Sequence, residues 1–183
     1  TICSHINAVL NFDPTIQKFV LTLLRPDYDP DTLLVLDESS CLVTNYQRAA
    51  WAETTNEIVV EYVDRFTNNT LSVTVQDLAN VQIQGGVVSQ TKRYEGICDG
   101  NLAARVAQRD LQTFSTPLAK VSIQTNRIAH TLLPGRVFKL HYPSLGIESV
   151  VYRVGQVRRG TLERGSIAID AVEDVFGLPV DLY

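Results

Sequence analysis

The stretch NLAARVAQRDLQTFSTPLAKVSIQTNR, Asn101–Arg127, carries two different hydrophobic periods. Up to Phe114, the residues Leu102, Ala103, Val106, Ala107, Leu111 and Phe114 recur at three- and four-residue steps, the stripe of an amphipathic helix. Arg105, Gln108, Arg109 and Gln112 fill the opposite side. Asp99 and Asn101 are candidate N-caps, because a short side-chain oxygen can accept from the unpaired amides of a first helical turn. Pro117 ends the helix, since Thr116 before it is pushed to extended backbone. Beyond Pro117 the period falls to two: Leu118, Lys120, Ser122 and Gln124 alternate with the more apolar Ala119, Val121, Ile123 and Thr125. That pattern predicts a strand with one buried and one wet face. A helix with one apolar stripe must pack on something, and the rest of the chain offers mainly strands, so the helix is expected to lie across a sheet.

Working outward, Lys18–Leu24 and Cys41–Arg48 read as strands, and Leu33–Leu36 is a short apolar run. Glu57–Asp64 and Leu71–Gln76 alternate on either side of turn residues at Phe66–Thr70 and form the strongest hairpin signal. Asp77–Gly86 breaks the pattern, with Gly85-Gly86 as a loop, and Ser89–Tyr94 is expected along an edge. Val137–His141, Glu148–Val157 and Ser166–Val172 are further strands, punctuated by turns at Leu133-Pro134-Gly135, Pro143–Gly146 and Arg159–Gly165. His5–Phe12 reads as a short helix or a connector. The fold class is therefore mainly β, an antiparallel barrel or sandwich with one main helix at about 101–114.

The 183 residues suffice for one domain, or two small ones. A net charge of −4 argues against a dedicated nucleic-acid binder, which needs a concentrated basic surface. No apolar run approaches the roughly 20 residues that span a bilayer, and no stable membrane binding is expected. Cys3, Cys41 and Cys98 form no CxxC pair, so buried or inert thiols are expected rather than a disulfide framework or zinc site. Met is absent, so the chain reads either as one whose start Met is removed or as a section of a longer polypeptide.

Chemistry-bearing patterns are sparse. Asp27, Asp29, Asp31 and Glu38 take positions one, three, five and twelve of a calcium loop, whose oxygen ligands wrap a hard cation. Thr32 stands where that loop needs Gly and Pro30 stiffens it, so a solvated acidic turn is the reading. His130 and His141 lie in no H-x-x-x-H or H-E-x-x-H spacing and read as strand-end residues. Gly85-Gly86 is no phosphate cradle, and Asn68-Asn69-Thr70, formally a glycosylation acceptor, reads as a turn. Arg158, Arg159 and Arg164 form a small basic patch near a turn, and Trp51 reads equally as core anchor or interface anchor. No catalytic, cofactor-binding or metal-binding residue is assigned, and the chain is not expected to be an enzyme.

Several runs resemble tailed-bacteriophage tail-tip or baseplate-hub proteins, also called tip attachment proteins. They are RPDYDPDTLLVLDES (Arg25–Ser39), WAETTNEIVVEYVDR (Trp51–Arg65), VTVQDLANVQIQGGVVSQT (Val73–Thr91), LAARVAQRDLQTFSTPLAKVSIQTNR (Leu102–Arg127), LLPGRVFKLHYPSLGIESVVYRVGQV (Leu132–Val157) and GSIAIDAVEDVFGLP (Gly165–Pro179). The resemblance implies an N-terminal connector at 1–17 and a tail-hub β-barrel region at 18–183, as one domain or two small ones meeting near 85–100, within a longer protein. It implies a tail-tube-like barrel or sandwich and a homo-oligomer, trimeric, in a ring beneath the tail tube. Its partners would be tail-tube and distal tail proteins and a central fibre, with transient passage of DNA. Location would be the virion's tail tip, and the host cytoplasm during assembly. Subunit pairing through the edges of Glu57–Asp64 or Ser166–Val172 is expected, to satisfy open backbone groups. The competing readings are a tail-associated cell-wall hydrolase and a free-standing carbohydrate-binding module.

Overall fold

The computed structural model describes residues 2–161 and 165–178. The chain divides into two compact units that its backbone visits alternately. The first is the chain up to His5 with Ala49–Pro117, and the second is Ile6–Arg48 with the chain from Leu118 onward. The crossings thus fall after His5, Arg48 and Pro117, not near 85–100.

The first unit holds a three-stranded sheet. Strands β5 (Glu57–Val63) and β6 (Thr70–Gln76) form the expected antiparallel hairpin, and β7 (Ser89–Arg93) pairs parallel to β5 along its other edge. Helix α3 (Gly100–Phe114) packs on β5 and β6. Asp99 is its N-cap, accepting from the Leu102 amide. Ala103, Val106, Ala107 and Leu111 meet Ile58, Val60 and Tyr62 in one core, to which Tyr94 and Ile97 belong. The ends of the predicted stripe, Leu102 and Phe114, are largely exposed instead. The stretch Asp77–Gly86 is not a break but a two-turn helix, α2 (Leu78–Gln84). Asp77 caps it through the Asn80 amide, and Gly85 closes it at φ +73, a left-handed position that glycine takes without steric cost.

The second unit is built on a six-stranded sheet in the order β3-β9-β10-β11-β8-β4. The strands are β3 (Val35–Asp37), β4 (Cys41–Arg48), β8 (Ala119–Thr125), β9 (Val137–Tyr142), β10 (Ile147–Arg159) and β11 (Ile167–Glu173). All pairs are antiparallel except β3 with β9. β3 and β4 lie at opposite edges, yet only residues 38–40 join them. In a flat sheet with strands about 4.8 Å apart the outer strands would be about 24 Å apart. Four Cα steps of about 3.8 Å reach only about 15 Å. The sheet must therefore curl until its edges approach at Asp37–Cys41. Bulges between Val43 and Asn45, Ile147 and Val150, and Val154 and Gln156 supply the bend. Gly155 sits in the last of these, where a Cβ would stand 3.3 Å from the Asp170 carbonyl oxygen.

The interior of the curl is filled by alternate residues: Leu36, Cys41, Val121, Ile123, Phe138, Leu140, Tyr152, Ile169 and Ala171 all belong to one buried cluster. Ala119, Val121, Ile123 and Thr125 are the buried side of β8, as their alternation predicts. A separate two-stranded hairpin belongs to the same unit: β1 (Ala8–Asp13) pairs antiparallel with β2 (Lys18–Leu23). The expected helix or connector at His5–Phe12 is thus the end of a short helix, α1 (Ile2–Ile6), followed by a strand. The whole is mainly β with one long helix on a sheet, as the sequence implies.

If the curl rests on its β3 edge, Leu36→Ala should cost about 3 kcal/mol, because it empties a fully buried site. Val35→Ala beside it, half exposed, should stay within about 0.5 kcal/mol. Urea unfolding of the two variants measures both.

Candidate functional site

Buried charge is the first place to look for chemistry, because a carboxylate is taken from water only where something holds it. In the first unit that residue is Asp110, on α3 one step from Arg109 and almost fully buried. It accepts from Tyr94 Oη at 2.6 Å, Lys92 Nζ at 3.1 Å, and Arg109 Nη2 and Nε at 2.7 and 3.0 Å. Arg109 also donates to the His5 carbonyl, and the His5 ring stands edge-on to Tyr94 and accepts from the Gly96 amide. Lys92 lies over the Phe114 ring. Burial alone would raise the Asp110 pKa, but the hydrogen bonds from Tyr94 and Arg109, with the charges of Lys92 and Arg109, bring it below the usual carboxylate range. Burial first, and then Asp110, push the Tyr94 phenol up to about 12.

Among its described residues the second unit holds two such carboxylates. Glu173, at the end of β11, accepts from Arg48 Nη2 at 3.0 and 3.2 Å and from the Ala119 amide at 3.0 Å, tying β4, β8 and β11 together. Asp174 next to it receives Arg153 Nε at 2.8 Å and the Tyr28 hydroxyl. Arg153 further donates to the Gly135 and Arg25 carbonyls. Burial, then Asp174, raises the Tyr28 phenol well above its ordinary value. A neutral polar network completes the list. In the first unit Asn80 donates to Thr54 Oγ1 and the Ser115 carbonyl, Asn56 donates to the Gly86 carbonyl and accepts from the Val88 amide, and Gln84 donates to Thr54 and Trp51. Each buried carboxylate is thus spent on joining secondary-structure elements.

The sequence candidates are dispersed. Asp29 caps a 3₁₀ turn through the Asp31 amide, Asp31 pairs with Lys139 at 3.5 Å, and Glu38 accepts from the Ser144 amide at 2.8 Å. Ser144, through its side chain first and then this amide, holds the Glu38 carboxyl below its ordinary range. Asp27, Asp29, Asp31 and Glu38 do not converge, and no group of three or more His, Cys, Asp or Glu among the described residues can hold a metal ion. His130 is exposed, with Nδ1 3.0 Å from the Arg127 carbonyl, and its own carbonyl accepts from Arg159. His141 is exposed on β9. Arg158 pairs with Asp170 at 2.5 Å, while Arg164 lies outside the described residues. Trp51, half exposed, opens a 3₁₀ turn rather than filling a core. Cys41 is buried, its thiol pushed up to about 11 by burial and then Asp37, whereas Cys98 is a free, exposed thiol.

The expected pairing edges need correction. β5 lies between β6 and β7, and β11 between β10 and β8, so the backbone groups of Glu57–Val63 and Ile167–Glu173 are already engaged. Both strands are strongly apolar because they are interior. The outer strands are β6 and β7 in one sheet and β3 and β4 in the other. β7 carries Lys92 and Arg93, which discourage a strand from adding there, whereas β6 carries only Thr, Leu, Ser, Val and Gln.

The profile of the family described as putative phage tail protein matches residues 1–157, and the chain belongs to that family. Solved structures share its fold, among them three tail or virion components. A chain in the virion of a native gene transfer agent particle matches with TM-score 0.66 at 15% identity, covering 100% of this chain and 40% of that one. The tail protein from Neisseria meningitidis MC58 matches at 0.61 and 11%, covering 96% and 54%. The prophage MuSo2 43 kDa tail protein from Shewanella oneidensis matches at 0.56 and 15%, covering 97% and 54%. The chain thus spans about half the length of these proteins, or less. No protein of curated function matches it in sequence.

Asp110→Ala should lower stability at pH 7 by about 3 kcal/mol, since it leaves buried cationic and phenolic donors without their acceptor. The Asp110 pKa is lower folded than unfolded, so its contribution is complete above the usual carboxylate range and is lost as the pH falls through the folded value. Asp110→Asn should therefore flatten the acid-side loss of stability, which urea unfolding between pH 7 and acid measures.

Proposed function

We propose that this tail protein is a structural subunit of the tail tip: a hub that forms a ring, trimeric, joining the tail tube to the distal tip. In this reading it takes part in tail closure, host attachment and DNA passage, and it acts by assembly rather than catalysis. The observation that carries the proposal is the fold, which over the whole chain is similar to a component of an assembled gene transfer agent virion. The disposition of charge supports it. Asp110, Glu173 and Asp174 are all held by internal donors, so the interior is built for rigidity. The surface available to neighbours includes the outer strands, of which β6 carries no charged residue. A net charge of −4 suits a wall that DNA slides past without adhering.

The test is assembly with the neighbouring tail components. Mixed with tail-tube protein, the chain should join the tube end as a ring of three copies, visible as a discrete mass by sedimentation and as a cap in electron micrographs. A chain that stays monomeric and never binds the tube end contradicts the hub.

A further inference from the structure

The β1–β2 hairpin carries its apolar residues on the wrong side for a part of a core. In its register Leu10 faces Leu21 and Phe12 faces Phe19, so the four share one face. They are 55%, 52%, 51% and 74% exposed, and Ile16 in the turn is 53% exposed. The other face carries Val9, Asn11 and Asp13 opposite Thr22, Val20 and Lys18. That more polar face is the one turned to its own unit: Asn11 donates to the Pro134 carbonyl at 2.7 Å, and Thr22 lies against Gly135. A one-residue slip would exchange the faces, so the outward apolar set is specified by the register and not by accident of a loose strand. The hairpin is also built as a rigid unit. Leu24 donates to the Asn7 carbonyl at its base, the Thr15 amide to Asp13 at its turn, and Phe12 and Phe19 meet edge to face at 5.5 Å.

We infer that the outward face of this hairpin is a self-association surface, packing against the hairpin face of a neighbouring copy of the chain. Two observations select a second copy. The face carries no charge, and its Leu–Leu and Phe–Phe pairs present the same chemistry in either strand direction, so the face is complementary to itself. Its area is also sufficient. With about 200 Å² for each fully exposed side chain, the five residues expose roughly 570 Å² per copy and roughly 1,140 Å² for two faces together, above the about 1,000 Å² that a specific interface must clear. A two-stranded ribbon is marginal alone in water, and packing of its apolar face is what stabilises it. A self-complementary contact is two-fold, so it joins two copies and lies outside the three-fold contacts of the proposed ring.

The test uses the chain alone, so that it is separate from assembly on a tail tube. Sedimentation over a concentration series should show reversible association of the wild-type chain. Phe19→Asp and Leu21→Asp should abolish it and leave the monomer mass, with the circular dichroism spectrum unchanged because both sites are exposed. Phe66→Asp, at a 92% exposed site in the first unit, should associate like wild type. Phe19→Cys in a Cys98→Ser background should give an intermolecular disulfide on mild oxidation. Association that survives Phe19→Asp and Leu21→Asp overturns the hairpin contact and leaves the ring standing. A wild-type chain that is monomeric at its highest soluble concentration, with no Phe19→Cys cross-link, also overturns it. The face would then belong to another tail component, whether or not a ring forms on the tube.

Discussion

Three residues between two strands that sit at opposite edges of one sheet are the constraint on which the second unit depends. Glu38, Ser39 and Ser40 cannot bridge a flat six-stranded sheet, so β3 and β4 can occupy their places only if the sheet curls. The corner is fixed locally. The Asp37 carboxylate accepts from the Ser39 amide and hydroxyl and from the Ser40 amide, and its own amide donates to Ser40 Oγ. Those hydrogen bonds hold the Asp37 carboxyl below its ordinary range. Leu36 and Cys41 on either side of the corner point into the same core, so the turn and the packing specify one geometry.

Buried ions then lock each unit separately. Asp110 gathers β7, the segment after it and α3, Glu173 gathers β4, β8 and β11, and Asp174 holds Arg153 of β10. A buried ion pair is weak evidence for stability, but removing one partner is costly, so each pair selects one arrangement of its elements. A component that must bear load in an assembly is well served by elements that cannot slide. In the proposed role the contacts fall to what the units leave outward: the edge of β6 and the apolar side of the β1–β2 ribbon.

The main helix and β8 were legible in Asn101–Arg127 because their periods differ and Pro117 separates them. β5, β6 and β11 were legible as strands for the same reason. Their partners were not. Alternation says which side of a strand is wet but not what pairs with its edges, and β5 and β11 proved to be interior. Helix α2 was hidden because seven residues give too few turns for a periodic signal, although Asp77 and Gly85 mark both of its ends. β1 was hidden because Ala8, Val9 and Leu10 are apolar in a row and blur the alternation. Asp110 lies in the predicted helix, but a carboxylate beside Arg109 reads as solvated until Tyr94 and Lys92 are brought to it by the fold.

The central claim is that this protein works through its outward strands and ribbon, with its interior serving only rigidity. Amide hydrogen exchange on the free chain and on the assembled tail tip tests it most directly. The account predicts new protection in Ala8–Asp13, Lys18–Leu23 and Thr70–Gln76 on assembly, with the exchange of β8, β10 and β11 unchanged. Protection that stays constant in those outward segments, or that changes instead in the interior strands, would contradict it.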